Sequence, residues 1–282
     1  MERHETRTVE GRQVHYTPHE GGDLVMLVRL AGASGGVWDG LWPRLAAHHA
    51  VASVELGKPD MARTPRAVFD DFAGVILSAA TALGHERVHL VGWNGGAHIA
   101  LAAAALAPPE LASLTLMTPF RDVGERRQID HGLDILELLL RTNARELYAY
   151  HWFMAGFSDR FVEENFDTVD RLAQQRLAND GFLSLDVDRA MRWMRALRRD
   201  HVSDAELAAI RLPTLIMAAG LNRWHAGPTQ AMAAALHETI PGSRLTTFAA
   251  CGGFFPIEAP DETAADILAF LRLCSMPQQD YQ

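Results

Sequence analysis

The segment Gly92-Trp93-Asn94-Gly95-Gly96 has the pattern of a turn that presents one side chain for catalysis. An apolar run before it, Val88–Val91, predicts a buried strand, and the alanine-rich run after it predicts a helix. Glycine permits so sharp a turn because it adopts positive φ and has no Cβ to collide with neighbouring backbone. In the motif Gly-x-Ser-x-Gly the turn holds a serine nucleophile. Asn94 takes that place here, so the pattern predicts the geometry of a nucleophile without the nucleophile itself.

The elements around this turn alternate between strand and helix. Strands are predicted at residues 12–17, 24–30, 51–56, 88–91, 111–117, 212–219 and 244–249, with helices at 66–83, 228–238 and 260–273. Such alternation predicts right-handed crossovers and a mainly parallel sheet that is covered by helices on both faces.

The alternation is interrupted between residues 121 and 211, where five or six helices are predicted. An insertion at this point would lie over the carboxyl ends of the strands, where open α/β sheets bind their ligands. Its large apolar side chains are too numerous to be all interior to the insertion, so some are expected to line an apolar pocket. They are Tyr148, Tyr150, Trp152, Phe153, Met154, Phe157, Trp193 and Met194. We therefore expect a cap over a site for an apolar or aromatic small molecule.

Composition excludes several other functions. The chain has 48% hydrophobic and 22% charged residues and a net charge of −9, which argues against a nucleic-acid surface. It has no apolar run of membrane-spanning length and no secretory signal, so we expect no membrane association. Only two cysteines occur, which favours free thiols in a cytoplasmic protein. No dinucleotide or metal-binding motif is present, and we expect neither cofactor nor metal.

Four motifs give the chain a resemblance to the α/β-hydrolase superfamily, in the branch with a helical cap, over residues 20–275. They are the turn at Gly92–Gly96, the Gly32 loop with Trp38, the strand Pro213–Gly220, and the run Gly252-Gly253-Phe254-Phe255-Pro256-Ile257-Glu258-Ala259-Pro260. The resemblance implies a mostly parallel eight-stranded sheet with helices on both faces. It also implies a core at residues 1–120 and 212–282 and an all-helical cap at residues 121–211.

The same resemblance assigns three catalytic positions. Members of the superfamily use a nucleophile, a histidine base and an acid that orients the histidine. These positions correspond to Asn94, Gly253 and Arg223, or to Asn222 instead of Arg223 if the loop is shifted by one residue. An amide, a glycine and an arginine cannot fill those roles, because none of them attacks or accepts a proton near neutral pH. The usual acyl-transfer mechanism is therefore not expected.

We expect the oxyanion hole of the superfamily to be retained. The backbone N–H groups of Gly95 and Ala33 match its two donors, and one such donor is typically worth roughly 3 kcal/mol. Asn94 adds a side-chain donor, although an asparagine there is equally explained by its tolerance of a strained turn. The residues predicted to contact the substrate are Trp93, Ser34, Trp152, His151, Phe157, Arg223, Gly253 and Phe254.

Other residues of the sequence could replace the missing base or nucleophile. His225, two residues after the acid position, is the first candidate base, and His151 in the cap is the second. We expect His98 to be a packed, hydrogen-bonded histidine and Cys251 to be a small core residue. Asp122 resembles an alternative acid position of the superfamily.

Three functions follow from these residues. The leading hypothesis is a cofactor-independent, non-hydrolytic cyclase, lyase or isomerase, including carbon–carbon bond formation by conjugate addition. It resembles the triad-less α/β-hydrolase-fold proteins of bacterial natural-product pathways. The alternative is a catalytically silent ligand-binding protein, and the third is a hydrolase with a relocated nucleophile or base. Exposed aromatic residues on the cap would also suit a homodimer.

Overall fold

The computed structural model describes residues 4–20, 23–30, 35–120, 127–179, 186–197, 199, 201–223 and 229–275. One eight-stranded sheet runs through it, in the order β1-β2-β4-β3-β5-β6-β7-β8. The strands are β1 Glu5–Val9, β2 Arg12–Thr17, β3 Leu24–Arg29, β4 Ala50–Val54, β5 Val88–Trp93, β6 Leu111–Met117, β7 Thr214–Ala219 and β8 Arg244–Phe248. The pairs β1–β2 and β2–β4 are antiparallel and the other pairs are parallel. This confirms the predicted fold class.

Helices cover both faces of the sheet. They are α1 Leu41–Ala46, α2 Pro65–Ala82, α3 Gly95–Ala105, α10 Thr229–Thr239, α11 Phe255–Glu258 and α12 Pro260–Ser275. Strand β3 shows why both faces are apolar: Met26 packs in the cluster of α2 and α3, whereas Val25 and Leu27 pack in the cluster of α1 and α12. Central parallel strands are buried on both sides and therefore form continuous apolar runs.

The insertion between β6 and β7 is helical. Its described helices are α4 Arg127–Arg141, α5 Arg145–Gly156, α6 Asp159–Glu164, α7 Phe166–Asn179, α8 Val187–Ala196 and α9 Asp204–Ala209. A capping box starts α9, with Ser203 and Glu206 bonded reciprocally. Helix α9 contacts α3 and α10 of the core. The division of the chain into a core and a cap at residues 121 and 211 stays a prediction.

Within the described residues, no helix is both long enough and apolar enough to cross a membrane.

Candidate functional site

Asn94 lies at the tip of the turn from β5 into α3, at the carboxyl edge of the sheet. Its φ of 53° and ψ of −116° are the strained geometry that the glycine pattern predicts. The glycines are needed because a Cβ on Gly92 would lie 2.5 Å from the Gly96 carbonyl oxygen, and one on Gly96 would lie 2.8 Å from the Arg29 Cα. The turn therefore holds the Asn94 side chain at the position of a nucleophile, and that side chain is partly exposed.

The side chain of Asn94 is bonded to the next residue. Its Oδ1 accepts a hydrogen bond from the Gly95 N–H at 2.9 Å. That N–H is one of the two predicted oxyanion donors, so a ligand oxygen would have to displace Oδ1 in order to reach it. The amide NH₂ of Asn94 remains as a donor at the tip. The other predicted donor, Ala33, and its neighbour Ser34 lie outside the described residues.

Trp93 connects the turn to the loop that follows β8. Its indole N–H donates to the Gly253 carbonyl oxygen at 2.9 Å. Its ring stacks on Phe254 with centroids 5.1 Å apart, and Phe254 stacks in turn on Phe157 at 4.5 Å. All four residues are buried. The structure thus brings four of the predicted substrate-contacting residues together, as an aromatic stack beside the turn.

The loop after β8 is also held by Glu258, which the sequence reasoning left without a role. Glu258 Oε1 accepts the N–H groups of Gly252 at 2.8 Å and of Ser158 at 3.0 Å. Its Oε2 accepts the Ser158 hydroxyl at 2.6 Å. The run Gly252–Pro260 contains Glu258, but nothing in that run indicates its partner Ser158, which lies 100 residues earlier in the chain.

Arg223, at the predicted acid position, joins the loop after β7 to the cap. Its guanidinium forms an ion pair with Asp159 and a hydrogen bond to the Met154 carbonyl oxygen at 3.4 Å. Its backbone N–H donates to the Ala155 carbonyl oxygen at 3.1 Å. The positive charge of Arg223 is thus matched by a cap carboxylate. His225 lies outside the described residues.

The predicted cap residues Trp152 and His151 lie on α5. The Arg176 guanidinium lies 4.4 Å from the centre of the Trp152 ring and also donates to the Tyr148 hydroxyl at 3.0 Å. His151 is half-buried, and burial lowers its pKa, which keeps the imidazole neutral at pH 7 and able to accept a proton.

Two of the remaining candidates, His98 and Cys251, have buried side chains. His98 is buried, its Nε2 accepts the Phe120 N–H at 3.2 Å, and its ring packs between Phe69 and Phe120. Burial raises the pKa of the Cys251 thiol to about 11, so Cys251 is protonated and a poor nucleophile at neutral pH. Asp122 lies outside the described residues. Among those residues, no group of three or more His, Cys, Asp and Glu side chains could hold a metal ion.

Comparison with known proteins connects this geometry to a fold family. No model of a protein family matches the chain. A solved α/β-hydrolase enzyme, MGS-M2 from a Medee basin deep-sea metagenome library, has 18% sequence identity and a TM-score of 0.75, covering 99% of this chain and 100% of that one. The chain has the α/β-hydrolase fold.

Two curated proteins are similar in sequence. The 2-hydroxy-6-oxononadienedioate/2-hydroxy-6-oxononatrienedioate hydrolase 2 of Pseudomonas putida is 27% identical over 278 residues, covering 92% of each chain. The pimeloyl-[acyl-carrier protein] methyl ester esterase of Methylococcus capsulatus is 35% identical over 99 residues, which are 34% of this chain and 37% of that protein. The aligned part thus spans little more than a third of the esterase.

These relatives overturn the leading functional prediction, that of a non-hydrolytic cyclase, lyase or isomerase in natural-product biosynthesis. Both curated relatives are named for hydrolysis, and the α/β-hydrolase neighbour agrees with them. The prediction was wrong because it took a reaction class from three substituted positions. Even if the three positions assigned by the resemblance lack a nucleophile, a base and an acid, that does not specify a different reaction.

The hydrolase fold of this chain contains a Ser–His–Asp arrangement away from the turn, which the sequence reasoning missed. His89 Nδ1 lies 2.7 Å from the Ser113 hydroxyl, and His89 Nε2 lies 3.1 Å from Asp23 Oδ2. Ser113 is paired with His89 across β5 and β6, a register that only the structure gives. His89 and Ser113 are both 0% exposed. They lie near the amino ends of the strands, about 16 Å along β5 from Asn94. No substrate can reach them there, so the arrangement is a buried polar network.

Proposed function

We propose that this chain hydrolyses a small carbonyl compound by direct attack of water, without forming an acyl-enzyme. The observation that carries the proposal is Asn94: the strained turn of a hydrolase fold is retained, and its tip bears a hydrogen-bond donor in place of a nucleophile. The relatives support the reaction class, because they are named as hydrolases of an ester and of 2-hydroxy-6-oxodienoates.

Asn94 would hold the substrate through its amide NH₂. A donor at this position stabilises the negative charge that develops on a carbonyl oxygen when water attacks the carbon. The water proton passes to a neutral histidine and from there to the leaving group, so one water molecule is consumed for each bond that breaks. His151, half-buried on α5, is the candidate for that histidine among the described residues. His225 is the second candidate.

An apolar or aromatic substrate stays a proposal that rests on the sequence. Trp93, Phe254 and Phe157 are buried, so they make the surroundings of the turn apolar without themselves contacting a substrate in this structure. A cytoplasmic location and a homodimer also stay proposals that rest on the sequence.

The test uses the purified chain with two substrates, a p-nitrophenyl ester of an aromatic acid and a 2-hydroxy-6-oxodienoate. We expect turnover above the buffer rate, no burst phase, and no covalent adduct by mass spectrometry after acid quench. Asn94→Ala should lower kcat about 100-fold while KM changes little. His151→Gln and His225→Gln identify the base, since only the variant that lacks it should lose the acidic limb of the pH–rate profile, where protonation of the histidine lowers the rate. A trapped acyl adduct would contradict the proposal.

A second candidate function is ligand binding without turnover. Three contacts favour it, because in each of them a residue at a predicted catalytic position is bonded to another residue of the protein. They are Asn94 with Gly95, Arg223 with Asp159, and Gly253 with Trp93. If both substrates raise the melting temperature of the protein and are recovered unchanged, this candidate replaces hydrolysis.

A further inference from the structure

A cleft lies between the start of α2 and the cap helix α8. Its volume is about 610 Å³, which is within the range of small-molecule sites. It is lined by Met61, Arg63 and Thr64 before α2 and by Arg189, Arg192 and Trp193 on α8, among others. Its lining includes none of the residues around the Asn94 turn, so it is a separate place on the surface.

The cleft is positively charged although the whole chain carries a net charge of −9. None of its lining residues is acidic. Arg189 and Arg192 are exposed and lie three positions apart on α8, so both guanidinium groups project from one face of that helix. Neither guanidinium makes a hydrogen bond or an ion pair with any residue that the structure describes. The nearby Asp188 forms its ion pair with Arg141.

The third positively charged side chain in the lining of the cleft is Arg63, which lies just before α2. Arg63 pairs with Asp71, which fixes it at the rim of the cleft. Thr64 caps α2, an 18-residue helix, by accepting the Ala67 N–H. The amino end of that helix adds a partial positive charge to the same side of the cleft.

The floor of the cleft is apolar. Met61 is 7% exposed and Trp193 is 3% exposed. The Trp193 indole N–H is buried and has no hydrogen-bond partner within the described part of the chain. Two arginines that have no ion-pair partner among the described residues thus line the same cleft as a buried indole and a methionine side chain, which combines anion-binding groups with an apolar surface.

We propose that this cleft binds a small amphipathic organic anion. Its phosphate or carboxylate group pairs with Arg189 and Arg192, and its aromatic or aliphatic body packs on Met61 and Trp193. Guanidinium groups bind both kinds of oxyanion through paired hydrogen bonds, and an indole provides a broad apolar contact for the body of the ligand.

The experiment is calorimetric titration of the full chain at low salt with 1-naphthyl phosphate, which carries both features. 1-Naphthol lacks the anion, and inorganic phosphate lacks the apolar body. The cleft variant is Arg189→Gln with Arg192→Gln. The matched control is Arg160→Gln with Arg171→Gln, which removes the same charge from exposed positions of α6 and α7 outside the cleft.

We expect 1-naphthyl phosphate to bind the wild type and the control equally, and the cleft variant about tenfold more weakly. Both partial probes should bind the wild type more weakly than the complete probe. Equal affinity in the cleft variant, or no binding to the wild type at millimolar concentration, would overturn the proposal.

A nuclear magnetic resonance readout locates the ligand independently of affinity. The Trp193 indole N–H signal, assigned with Trp193→Phe, should shift on addition of 1-naphthyl phosphate in the wild type and in the control. A shift confined to the Trp93 indole signal would place the ligand at the Asn94 turn and contradict a separate site. Because Asn94 is not part of the cleft, Asn94→Ala should leave this binding unchanged, whatever its effect on hydrolysis.

Discussion

Glu258 and Ser158 are joined by two hydrogen bonds, from the Ser158 N–H at 3.0 Å and from its hydroxyl at 2.6 Å. They connect the loop after β8 with residues 154–159, which we call the α5–α6 junction. Ser158 is 1% exposed, so its donors would have no water to bind if the carboxylate were removed. This pair is therefore a structural link between the core and the cap.

The first prediction concerns that link. Glu258→Ala leaves the N–H groups of Gly252 and Ser158 and one hydroxyl without an acceptor, so we expect the free energy of unfolding to fall by about 3 kcal/mol. Urea denaturation measures the change. Glu163→Ala, at an exposed position of α6, is the matched control and should stay within about 0.5 kcal/mol of the wild type. Equal losses in both variants would mean that the contacts of Glu258 contribute nothing specific.

The second prediction concerns Asn94. Asn94→Ala removes the acceptor of the Gly95 N–H and places a Cβ-only side chain at a φ of 53°. We expect a loss of about 1 to 2 kcal/mol in the free energy of unfolding. Asn94→Asp keeps both the acceptor and the tolerance of positive φ, and it should lose less than about half of that. If the two variants are equally destabilised, the hydrogen bond to Gly95 is not what stabilises the turn.

The third prediction uses two glycines in different surroundings. A Cβ on Gly252 would collide with the Gly156 carbonyl oxygen and lie 2.6 Å from the Phe157 carbonyl carbon, whereas a Cβ on Gly74 meets no atom within 4 Å. Gly252→Ala should therefore lower the free energy of unfolding by about 3 kcal/mol, because backbone has to move. Gly74→Ala, inside α2, should raise it by about 1 kcal/mol. Thermal unfolding of the two variants measures both changes in stability. If Gly252→Ala is as stable as the wild type, the backbone at Gly252 is not closely packed against that of Gly156 and Phe157.

The fourth prediction is a dependence of stability on pH. Burial lowers the pKa of His89, and the Asp23 carboxylate offsets this only in part; burial also lowers the pKa of His49, His85 and His151. The unfolded chain therefore binds protons at a higher pH than the folded chain. We expect the free energy of unfolding to be highest above about pH 6.5 and to fall as the pH decreases below that value.

Urea denaturation between about pH 8 and pH 5 tests whether the free energy of unfolding falls as the pH decreases. His89→Gln keeps an amide donor for Asp23 and an acceptor for Ser113 but cannot be protonated. Its stability should therefore decline less steeply with acid than that of the wild type. A steeper decline in the variant would show that His89 is protonated in the folded state.

Local patterns in the sequence predicted most of the fold. The strand, turn and helix around Asn94 were predicted from apolar runs and glycines. Strand β1 was missed because it is a polar edge strand, exposed along most of its length, and so has no apolar alternation to detect.

Contacts between distant residues could not be predicted in this way. The indole of Trp93 bonds to a carbonyl 160 residues later, and Glu258 bonds to a hydroxyl 100 residues earlier. The sequence around one partner gives no indication of the other, because such pairing depends on how the elements pack. The catalytic positions that motif spacing assigns stay predictions, and the partner that Arg223 has in Asp159 required the structure.

The α5–α6 junction is one of two separate attachments of the inserted helices. It is bonded to Glu258 and to Arg223, and its backbone packs directly on Gly252. The second attachment is on α8, where Ala190 and Trp193 belong to the same apolar cluster as α2 and α3. One attachment is polar and the other is apolar. Removing the Glu258 carboxylate would therefore weaken the first attachment and leave the second intact.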